Sequence, residues 1–219
     1  MMSKLLRKKI IVICGHYGSG KTSIAVNLTM NLRRESSAER IALVDLDLVN
    51  PFFRSADNVK ELEQFGVKCI IPHFANTNVD APSIPPEMYS VFDDSKDTRA
   101  VIDVGGDAAG AGVLGMFAKK IKDYNHEMIY VVNKYRPLIA DVDAAVNMAR
   151  AIEEKSRLKI TSVINNSHVG EFTTEPDILV TFDYARKISE ELNVPRLANT
   201  AFINAQGTDR LNNYTKKNF

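Results

Sequence analysis

The sequence predicts a single α/β domain over residues 1–219, in which buried strands alternate with helices. Short apolar runs rich in β-branched residues recur along the chain, and segments whose apolar residues repeat at helical intervals lie between them. The chain has 219 residues, of which 45% are hydrophobic and 25% charged. That length suits the core of one such domain, whereas two domains would be cramped.

Composition argues against several partners and locations. The net charge of +1 gives no electrostatic basis for nucleic acid or an anionic membrane as a main partner. The basic N-terminus precedes an apolar run that is too short for a signal peptide, and no stretch approaches transmembrane length. Cys14 and Cys69 are isolated beside apolar runs, which predicts two buried thiols in a reducing cytoplasm.

A glycine-rich turn follows the first apolar run, Ile10–Ile13, and precedes a helical pattern. This turn, Gly15–Thr22, reads GHYGSGKT and has the P-loop spacing G-x-x-x-x-G-K-T between a strand and a helix. Backbone N–H groups must meet triphosphate oxygens at close range, and side chains at Gly15, Gly18 and Gly20 would block that approach. The motif therefore predicts a bound nucleoside triphosphate; the alternative is a glycine-rich turn without a ligand.

The residues of this turn have distinct expected roles. The amides of Ser19 to Thr22 open a helix over about residues 20–34, and its positive end faces the anion. Lys21 is expected to reach the β- and γ-phosphates, and the Thr22 hydroxyl to bind Mg²⁺. The predicted nucleotide-binding residues of the turn are Gly15, His16, Tyr17, Gly18, Ser19, Gly20, Lys21, Thr22 and Ser23.

Two carboxylates, Asp45 and Asp47, follow the second apolar run, Ile41–Val44. Open parallel sheets bind ligands beyond the carboxyl ends of their strands, so both acids are well placed for a metal ion and its water. The alternative interpretation is a solvated turn that carries two surface acids.

The next part of the chain is expected to contain a helix, a strand, a long loop and a short helix. The helix covers about residues 55–64 and ends at Gly66, and the strand is Val67–Ile71. Pro72–Pro86 contains four prolines, so it is neither a regular helix nor an inner strand. Loops of this length are usually functional or mobile, and we interpret it as a surface facing a substrate or partner. A short helix is expected over Glu87–Phe92.

A third acid, Asp103, lies in the apolar strand Ala100–Val104. An aspartate at the end of a strand after a P-loop is the usual acidic partner of the Mg²⁺ site. Gly106 supplies an amide that can approach the γ-phosphate without a side chain in the way. Residues 107–115 are small and glycine-rich, which suits a loop that shifts when that phosphate leaves, and the alternative is a packed turn.

Two later strands bear on the choice of base. Met128–Val132 ends in the tetrapeptide NKYR, where guanine-specific proteins of the G-protein type carry Asn-Lys-x-Asp. Arg136 stands in place of that aspartate, which disfavours guanine. Ile160–Ile164 is the next strand, and the Asn165 carboxamide at its end can donate to and accept from adenine. An asparagine-rich turn is an equally good interpretation of Asn165.

Two long helices are expected in the second half of the chain, Ile139–Arg157 and Glu175–Leu192, with a last strand over Pro195–Ala201. The polar tail that follows lacks the wide apolar face of a membrane-anchoring helix. The four histidines share no spacing, so none is predicted to bind a metal ion: His16, His73, His126 and His168.

From about Lys9 to Asn165 these motifs together resemble the MinD/ParA (SIMIBI-type) branch of P-loop NTPases. GHYGSGKT and VDLDLVNPFFR also resemble a set of bacterial ATP-binding proteins within it. The resemblance implies a three-layer P-loop NTPase whose mostly parallel central sheet, of seven or so strands, is flanked by helices. It also implies ATP at the carboxyl edge of the sheet and dimers formed across the nucleotide.

The roles that the resemblance implies are these: Asp45 assists Mg²⁺, Asp47 orients the attacking water, Asp103 is the Walker B carboxylate and Asn165 contacts adenine. The sequence departs from this branch at His16, where a signature lysine reaches the partner's nucleotide in the dimer. A neutral imidazole cannot hold a permanent charge on a transferring phosphate, and a protonated His16 is the alternative. Arg54 and Arg136 are candidate replacements for that cation.

Three functions remain open from the sequence. The first is an Mg-dependent ATPase with a low intrinsic rate that acts as a nucleotide switch for a protein partner or client. In that case Lys21, Asp47 and Asp103 are the catalytic residues, and Thr22, Asp45 and Asp103 hold the metal ion. The second is an ATP-dependent kinase or ligase whose small-molecule acceptor binds at Pro72–Pro86. The third is an ATP-binding module without useful hydrolysis.

Overall fold

A computed structural model describes residues 5–35, 40–47, 56–71, 86–93, 97–106 and 108–200 of the chain. Some sequence-based predictions fall outside these ranges. They concern Arg54, the loop over residues 72–85, Asp107 and the tail from residue 201 onward.

Strands and helices alternate along the described chain. The strands are β1 (Ile10–Cys14), β2 (Arg40–Leu46), β3 (Val67–Ile70), β4 (Thr98–Val104), β5 (His126–Val132), β6 (Ser162–Asn165) and β7 (Arg196–Asn199). The α-helices are α1 (Lys21–Glu35), α2 (Ala56–Gln64), α3 (Ala108–Lys122), α4 (Val142–Ser156), α5 (Glu175–Leu179) and α6 (Phe182–Glu191). Single turns of 3-10 helix cover Pro137–Ile139 and Gly170–Phe172, and a longer one covers Pro86–Phe92.

The strands form one seven-stranded sheet in the order β3-β2-β4-β1-β5-β6-β7. Every neighbouring pair is parallel, so the predicted mostly parallel sheet is confirmed and is wholly parallel within the described residues. The carboxyl ends of all these strands therefore meet at one edge of the sheet, where ligands bind in open α/β folds. The register places Asp45 of β2 directly beside Asp103 of β4.

Helices cover both faces of the sheet, which gives the predicted three layers. On one face Ile11 and Ile13 of β1 pack in a core with Leu28 and Leu32 of α1 and Leu62 of α2. On the other face the alternate β1 residues belong to a larger core, to which α3, α4 and α6 contribute. Its members include Val12, Leu114, Phe117, Ile152 and Ile188. Because side chains alternate along a strand, one continuous apolar run supplies both cores.

The predicted loop over residues 107–115 is wrong for residues 108–115, which form the first turns of α3. Glycine lowers helix propensity, so the sequence pattern favoured a loop. Packing decides the outcome, because Leu114 and Phe117 are buried in the core and Gly115 lets α4 approach closely. A Cβ atom at Gly115 would lie 2.5 Å from the backbone oxygen of Lys155.

The single helix predicted over Glu175–Leu192 is two helices, α5 and α6, separated at Val180 and Thr181. Thr181 is buried, and its Oγ1 donates to the backbone oxygen of Ile178 at 2.7 Å. Its Oγ1 also accepts from Nδ2 of Asn165 at 2.9 Å, a bond that ties the interruption to the end of β6. The other predicted long helix begins later than expected, at Val142.

The two cysteines are both reduced, as expected, but only Cys14 is buried. Burial raises the pKa of the Cys14 thiol to about 12 and that of the half-buried Cys69 to about 11. Both thiols are therefore protonated and unreactive near neutral pH. Among the residues that the structure describes, no helix is both long and apolar enough to cross a membrane.

Candidate nucleotide-binding site

The glycine-rich turn between β1 and α1 lies at the carboxyl edge of the sheet, beside its centre. Gly20 has a φ of +89°, a conformation that residues with a side chain rarely adopt. A Cβ atom there would also overlap Nδ2 of Asn166, which donates to the backbone oxygen of Ser19 at 2.8 Å. The conformation of the turn is thus stabilised both by Gly20 and by the hydrogen bond from Asn166, which follows β6.

Lys21 is the buried cation of the site. Only 6% of it is exposed, and its Nζ donates to the backbone oxygen of His16 at 3.2 Å. That bond curls the turn around the ammonium group, as a phosphate cradle requires. The His16 side chain folds back on the same turn, because its Nδ1 donates to the backbone oxygen of Tyr17 at 2.8 Å.

Three acidic side chains and one hydroxyl meet next to Lys21. Thr22 Oγ1 donates to Oδ2 of Asp103 at 2.6 Å, and the backbone N–H of Asp47 donates to Oδ1 of Asp45 at 2.9 Å. Asp45 is fully buried, and Asp103 is 3% exposed. Burial raises the pKa of Asp103 to about 7, with Asp45 and Asp47 adding to the rise, while the bond from Thr22 and the charge of Lys21 oppose it.

A magnesium ion fits this group of residues. Oδ1 of Asp103 is buried and has no hydrogen-bond partner within the described chain. It can therefore bind a cation or accept a hydrogen bond from a water. Mg²⁺ in nucleotide sites takes one or two carboxylates and keeps phosphate oxygens and waters as its other ligands. Accordingly, no cluster of three or more His, Cys, Asp or Glu side chains with metal-site geometry is needed, and the described residues contain none.

Gly106 closes the cradle from the side of β4. A Cβ atom at this position would lie 2.5 Å from the backbone N of Tyr17 and 3.0 Å from Nζ of Lys21. The backbone of Gly106 therefore lies directly against the turn, at the predicted position of the γ-phosphate. A side chain would displace either the turn or the phosphate.

The space in front of the turn is a pocket of about 380 Å³. Its walls come from Tyr17, Gly18, Gly20, Lys21, Thr22, Ser23, Asp47 and Arg136. Most of the predicted turn residues and the predicted water-orienting acid thus face one cavity. Arg136, which the sequence indicated as a residue that disfavours guanine and as a candidate replacement cation, lies on the same cavity, and its Nε donates to the backbone oxygen of Gly18 at 2.6 Å.

The structure places Asn165 away from that pocket. Its Nδ2 donates to Oγ1 of Thr181 and, at 3.0 Å, to Oδ1 of Asn199, while its Oδ1 accepts from Ser167 Oγ at 2.6 Å. Contact with adenine would require some of these buried bonds to break, so that role stays a prediction. The next residue, Asn166, contacts the predicted phosphate-binding turn instead, through its hydrogen bond to the backbone oxygen of Ser19. Two adjacent asparagines at a strand end carry no sequence signal that distinguishes their directions.

Other cavities lined by described residues lie outside this pocket. One of about 360 Å³ is lined by His16, Gly106, Ala111, Met148, Ala151, Ile152 and Lys155, and it adjoins the cradle on the side of α3 and α4. Another, of about 560 Å³, lies between α6 and β7. Its Arg186 is paired with Asp183 and Glu190, and no phosphate-binding turn borders it. Size alone therefore does not identify the site.

The parallel sheet and the turn, with its buried Lys21 beside the bonded pair Thr22 and Asp103, define a protein of the P-loop NTPase fold class. Solved structures with this fold resemble the chain over most of its length. The signal recognition particle receptor FtsY from Elizabethkingia anophelis matches with a TM-score of 0.53 and 19% identity, over 89% of this chain and 62% of that one. A nucleotide-binding protein from Archaeoglobus fulgidus, in complex with ADP, matches with a TM-score of 0.54 and 13% identity, over 94% of this chain and 84% of that one.

A third similar structure is the signal recognition particle 54 kDa protein from Aeropyrum pernix in complex with GDP. It has a TM-score of 0.55 and 14% identity, over 90% of this chain but only 43% of that one. The chain thus spans less than two thirds of the FtsY and 54 kDa chains. These likenesses confirm the predicted three-layer α/β fold of the P-loop NTPase type. No protein-family model and no curated protein matches the sequence.

Proposed function

We propose that this protein binds ATP with Mg²⁺ at the β1–α1 turn, hydrolyses it slowly, and acts as a nucleotide switch for a protein partner. The observation that carries the proposal is the part-buried Thr22–Asp103 bond beside Lys21, with the second, buried Asp103 oxygen left without a partner in the described chain. A threonine hydroxyl and a buried carboxylate that share one position are suited to the metal ion of a bound triphosphate. A structural ion pair would not leave that oxygen unpaired.

The residues of the site are expected to have different roles in binding and hydrolysis. Lys21 binds the phosphate oxygens, and the turn amides surround them without side chains in the way. Thr22, Asp103 and Asp45 would hold Mg²⁺, which would offset part of the negative charge of the triphosphate. Asp47 is half-buried on the pocket wall, where its carboxylate can accept a proton from an attacking water.

A low turnover rate follows from the charges at the cradle. The branch's signature lysine is replaced by His16, whose ring nitrogen Nδ1 is bonded back to the turn. Within the described chain the cationic residues on the pocket wall are Lys21 and Arg136. A switch needs a long-lived triphosphate state, so slow hydrolysis fits a protein whose client reads the bound nucleotide.

A single-turnover assay with excess enzyme and Mg·ATP tests this function. We expect the wild type to release phosphate measurably and Asp47→Asn to lower the rate constant at least tenfold, because the substituted amide no longer accepts the water's proton. Equal and negligible rates for both proteins would favour an ATP-binding module without hydrolysis. A fast rate for the wild type alone would contradict the slow switch.

A second candidate, an ATP-dependent kinase or ligase, is favoured by the 360 Å³ cavity next to the cradle. The cavity is bordered by His16 and Gly106, so a small acceptor inside it would lie next to the predicted γ-phosphate. The acceptor role proposed for Pro72–Pro86 concerns residues outside the described chain, except Pro86. ATP consumption that rises with an added metabolite, together with a phosphorylated or ligated product, would establish this function over the switch.

A further inference from the structure

The cavity of about 360 Å³ between α3, α4 and the phosphate-binding turn, named here the α3–α4 cavity, results from the sizes of the side chains on the two helices. The helices cross closely at Gly115, where an added Cβ atom would lie 2.5 Å from the Lys155 backbone oxygen. One turn earlier they carry Ala111 and Ala151, which line the cavity and whose side chains are too short to fill it.

The α3–α4 cavity is separate from the pocket in front of the turn. The described residues that line one do not line the other, and Gly106 lies between the two. A Cβ atom at Gly106, which lines the α3–α4 cavity, would lie 2.5 Å from the backbone N of Tyr17, which lines the nucleotide pocket. A molecule in the α3–α4 cavity therefore contacts the backbone against which the γ-phosphate is predicted to lie.

The lining of the α3–α4 cavity indicates the chemical class of its ligand. Most of its wall is apolar and includes Met148 and Ile152, and α4 adds the cation Lys155. Lys155 is exposed, and none of the acids in the described ranges forms an ion pair with it. Its methylene groups can cover the wall while the ammonium group stays at the opening. An apolar wall with a single convergent charge is typical of a site for a small organic ligand.

We propose that the α3–α4 cavity binds a small organic acid with an apolar body, that its carboxylate pairs with Lys155, and that this ligand strengthens the binding of a triphosphate at the neighbouring turn. The last part rests on the proposed binding of ATP. The acid contacts Gly106 from one side and the γ-phosphate from the other, so both ligands favour the same position of this backbone. The acid is thus an effector and is not consumed, and the coupling between the two sites is reciprocal.

Calorimetric titration of octanoate into the protein without nucleotide tests the assignment of the cavity. Octanoate has about ten non-hydrogen atoms, which fit this volume at roughly 30 Å³ each. We expect it to bind at one site, and its uncharged counterpart octanamide to bind about three- to fivefold more weakly. Lys155→Gln should remove that difference. Ala151→Phe should weaken both ligands at least tenfold, because the ring occupies their space.

Lys119→Gln and Asn147→Phe are the matched controls, because both residues are exposed on the same two helices and neither lines the cavity. Both variants should bind octanoate as the wild type does. Absence of saturable octanoate binding to the wild type would overturn the inference. Equal affinities of the wild type for octanoate and octanamide, or an unchanged octanoate affinity in Ala151→Phe, would do the same.

Titration of ATPγS or ADP, with Mg²⁺, into the wild type saturated with octanoate measures the coupling. We expect ATPγS to bind at least fivefold more tightly and ADP to change less than twofold, since ADP lacks the phosphate predicted to lie against Gly106. An unchanged ATPγS affinity would overturn the coupling. Conversion of octanoate with ATP to a phosphorylated or ligated product would overturn the effector role in favour of an acceptor. A wild type that binds octanoate but neither nucleotide would refute the proposed function and support the cavity assignment alone.

Discussion

The carboxyl group of Asp103 is expected to lower the stability of the protein without its metal ion and to bind that ion when it is present. Its carboxyl is removed from water between two strands, next to Asp45, and one of its oxygens has no partner within the described chain. Such a group is stabilised by protonation or by a cation. A protein that binds Mg²⁺ with its nucleotide gains from keeping this oxygen unpaired.

The sign of the effect on stability follows from the raised pKa. With a pKa of about 7 in the folded protein and 3.8 as the ordinary value, Asp103 binds more protons in the folded state between these pH values. The free energy of unfolding contributed by Asp103 therefore falls as pH rises through this range. Asp103→Asn removes the titration, so without metal it should stabilise the protein by about 2 kcal/mol more at pH 8 than at pH 5.

Urea denaturation at both pH values in the presence of EDTA measures this difference. Asp183→Asn is the control, because Asp183 is exposed and bonds from Lys187 and Arg186 lower its pKa. That variant should gain no stability at pH 8. An Asp103→Asn variant that is less stable than wild type at pH 8 would show that the carboxylate is already satisfied in the empty protein.

The two asparagines at the end of β6 are predicted to have separable roles. Asn165 bonds Thr181, Asn199 and Ser167 inside the protein, so Asn165→Ala should lower the free energy of unfolding by about 2–4 kcal/mol. Asn166→Ala removes the bond to the Ser19 backbone, so ADP and ATPγS should both bind several-fold more weakly. Urea melts and calorimetry distinguish these effects. A specific loss of ATP over GTP affinity in a stable Asn165→Ala protein would instead support its predicted contact with adenine.

Among the elements, α3 lies where the nucleotide end of the sheet meets α4. It starts two residues after Gly106 and packs closely on the last turn of α4 at Gly115. Its position couples the loop that touches the cradle to the core of the same face. The predicted shift of this segment on loss of a γ-phosphate would then be an adjustment of the first turn of α3, and it stays a prediction.

The close crossing of α3 and α4 gives a prediction with an internal control. An alanine Cβ at Gly115 would lie 2.5 Å from the Lys155 backbone oxygen, whereas one at Gly112 would meet nothing within 4 Å. Gly115→Ala should therefore lower the free energy of unfolding by about 1–3 kcal/mol, and Gly112→Ala should raise it by up to about 1 kcal/mol. Thermal or urea denaturation compares the two. Similar stabilisation by both alanines would contradict the crossing that we describe.

The strands could be predicted from the sequence more readily than the helices. Apolar β-branched runs such as Ile10–Ile13 mark inner strands of a parallel sheet, and the P-loop spacing marks the turn and the helix after it. The start of α3 could not be predicted, because its glycines favour a loop in the sequence pattern. In the folded chain Gly110 packs against Gly105 and Gly115 packs against Lys155, and these contacts form only on folding. Likewise helical periodicity continues across Thr181, and only its buried bonds to Ile178 and Asn165 reveal the interruption.

At the scale of the whole molecule, a central strand places the phosphate cradle at the middle of the carboxyl edge of the sheet. The acids that are predicted to bind the metal ion come from the strands on one side of it, and the asparagines and Arg136 lie at or after the ends of strands on the other side. If a nucleotide binds as proposed, the order of the strands sets its orientation before any individual contact is considered. The sequence predicts the carboxyl edge and the role of Asp103, but it does not predict the strand order, which decides on which side of β1 each residue lies.

The central claim is that a triphosphate lies in the β1–α1 turn with its magnesium ion held by Thr22, Asp45 and Asp103. Calorimetric titration of ATPγS into the wild type, with Mg²⁺ and then with EDTA, measures it most directly. We expect binding with Mg²⁺, at least tenfold weaker binding with EDTA, and loss of binding in both conditions for Lys21→Ala. No heat of binding in the wild type with Mg²⁺, or equal affinity in Lys21→Ala, would contradict the account.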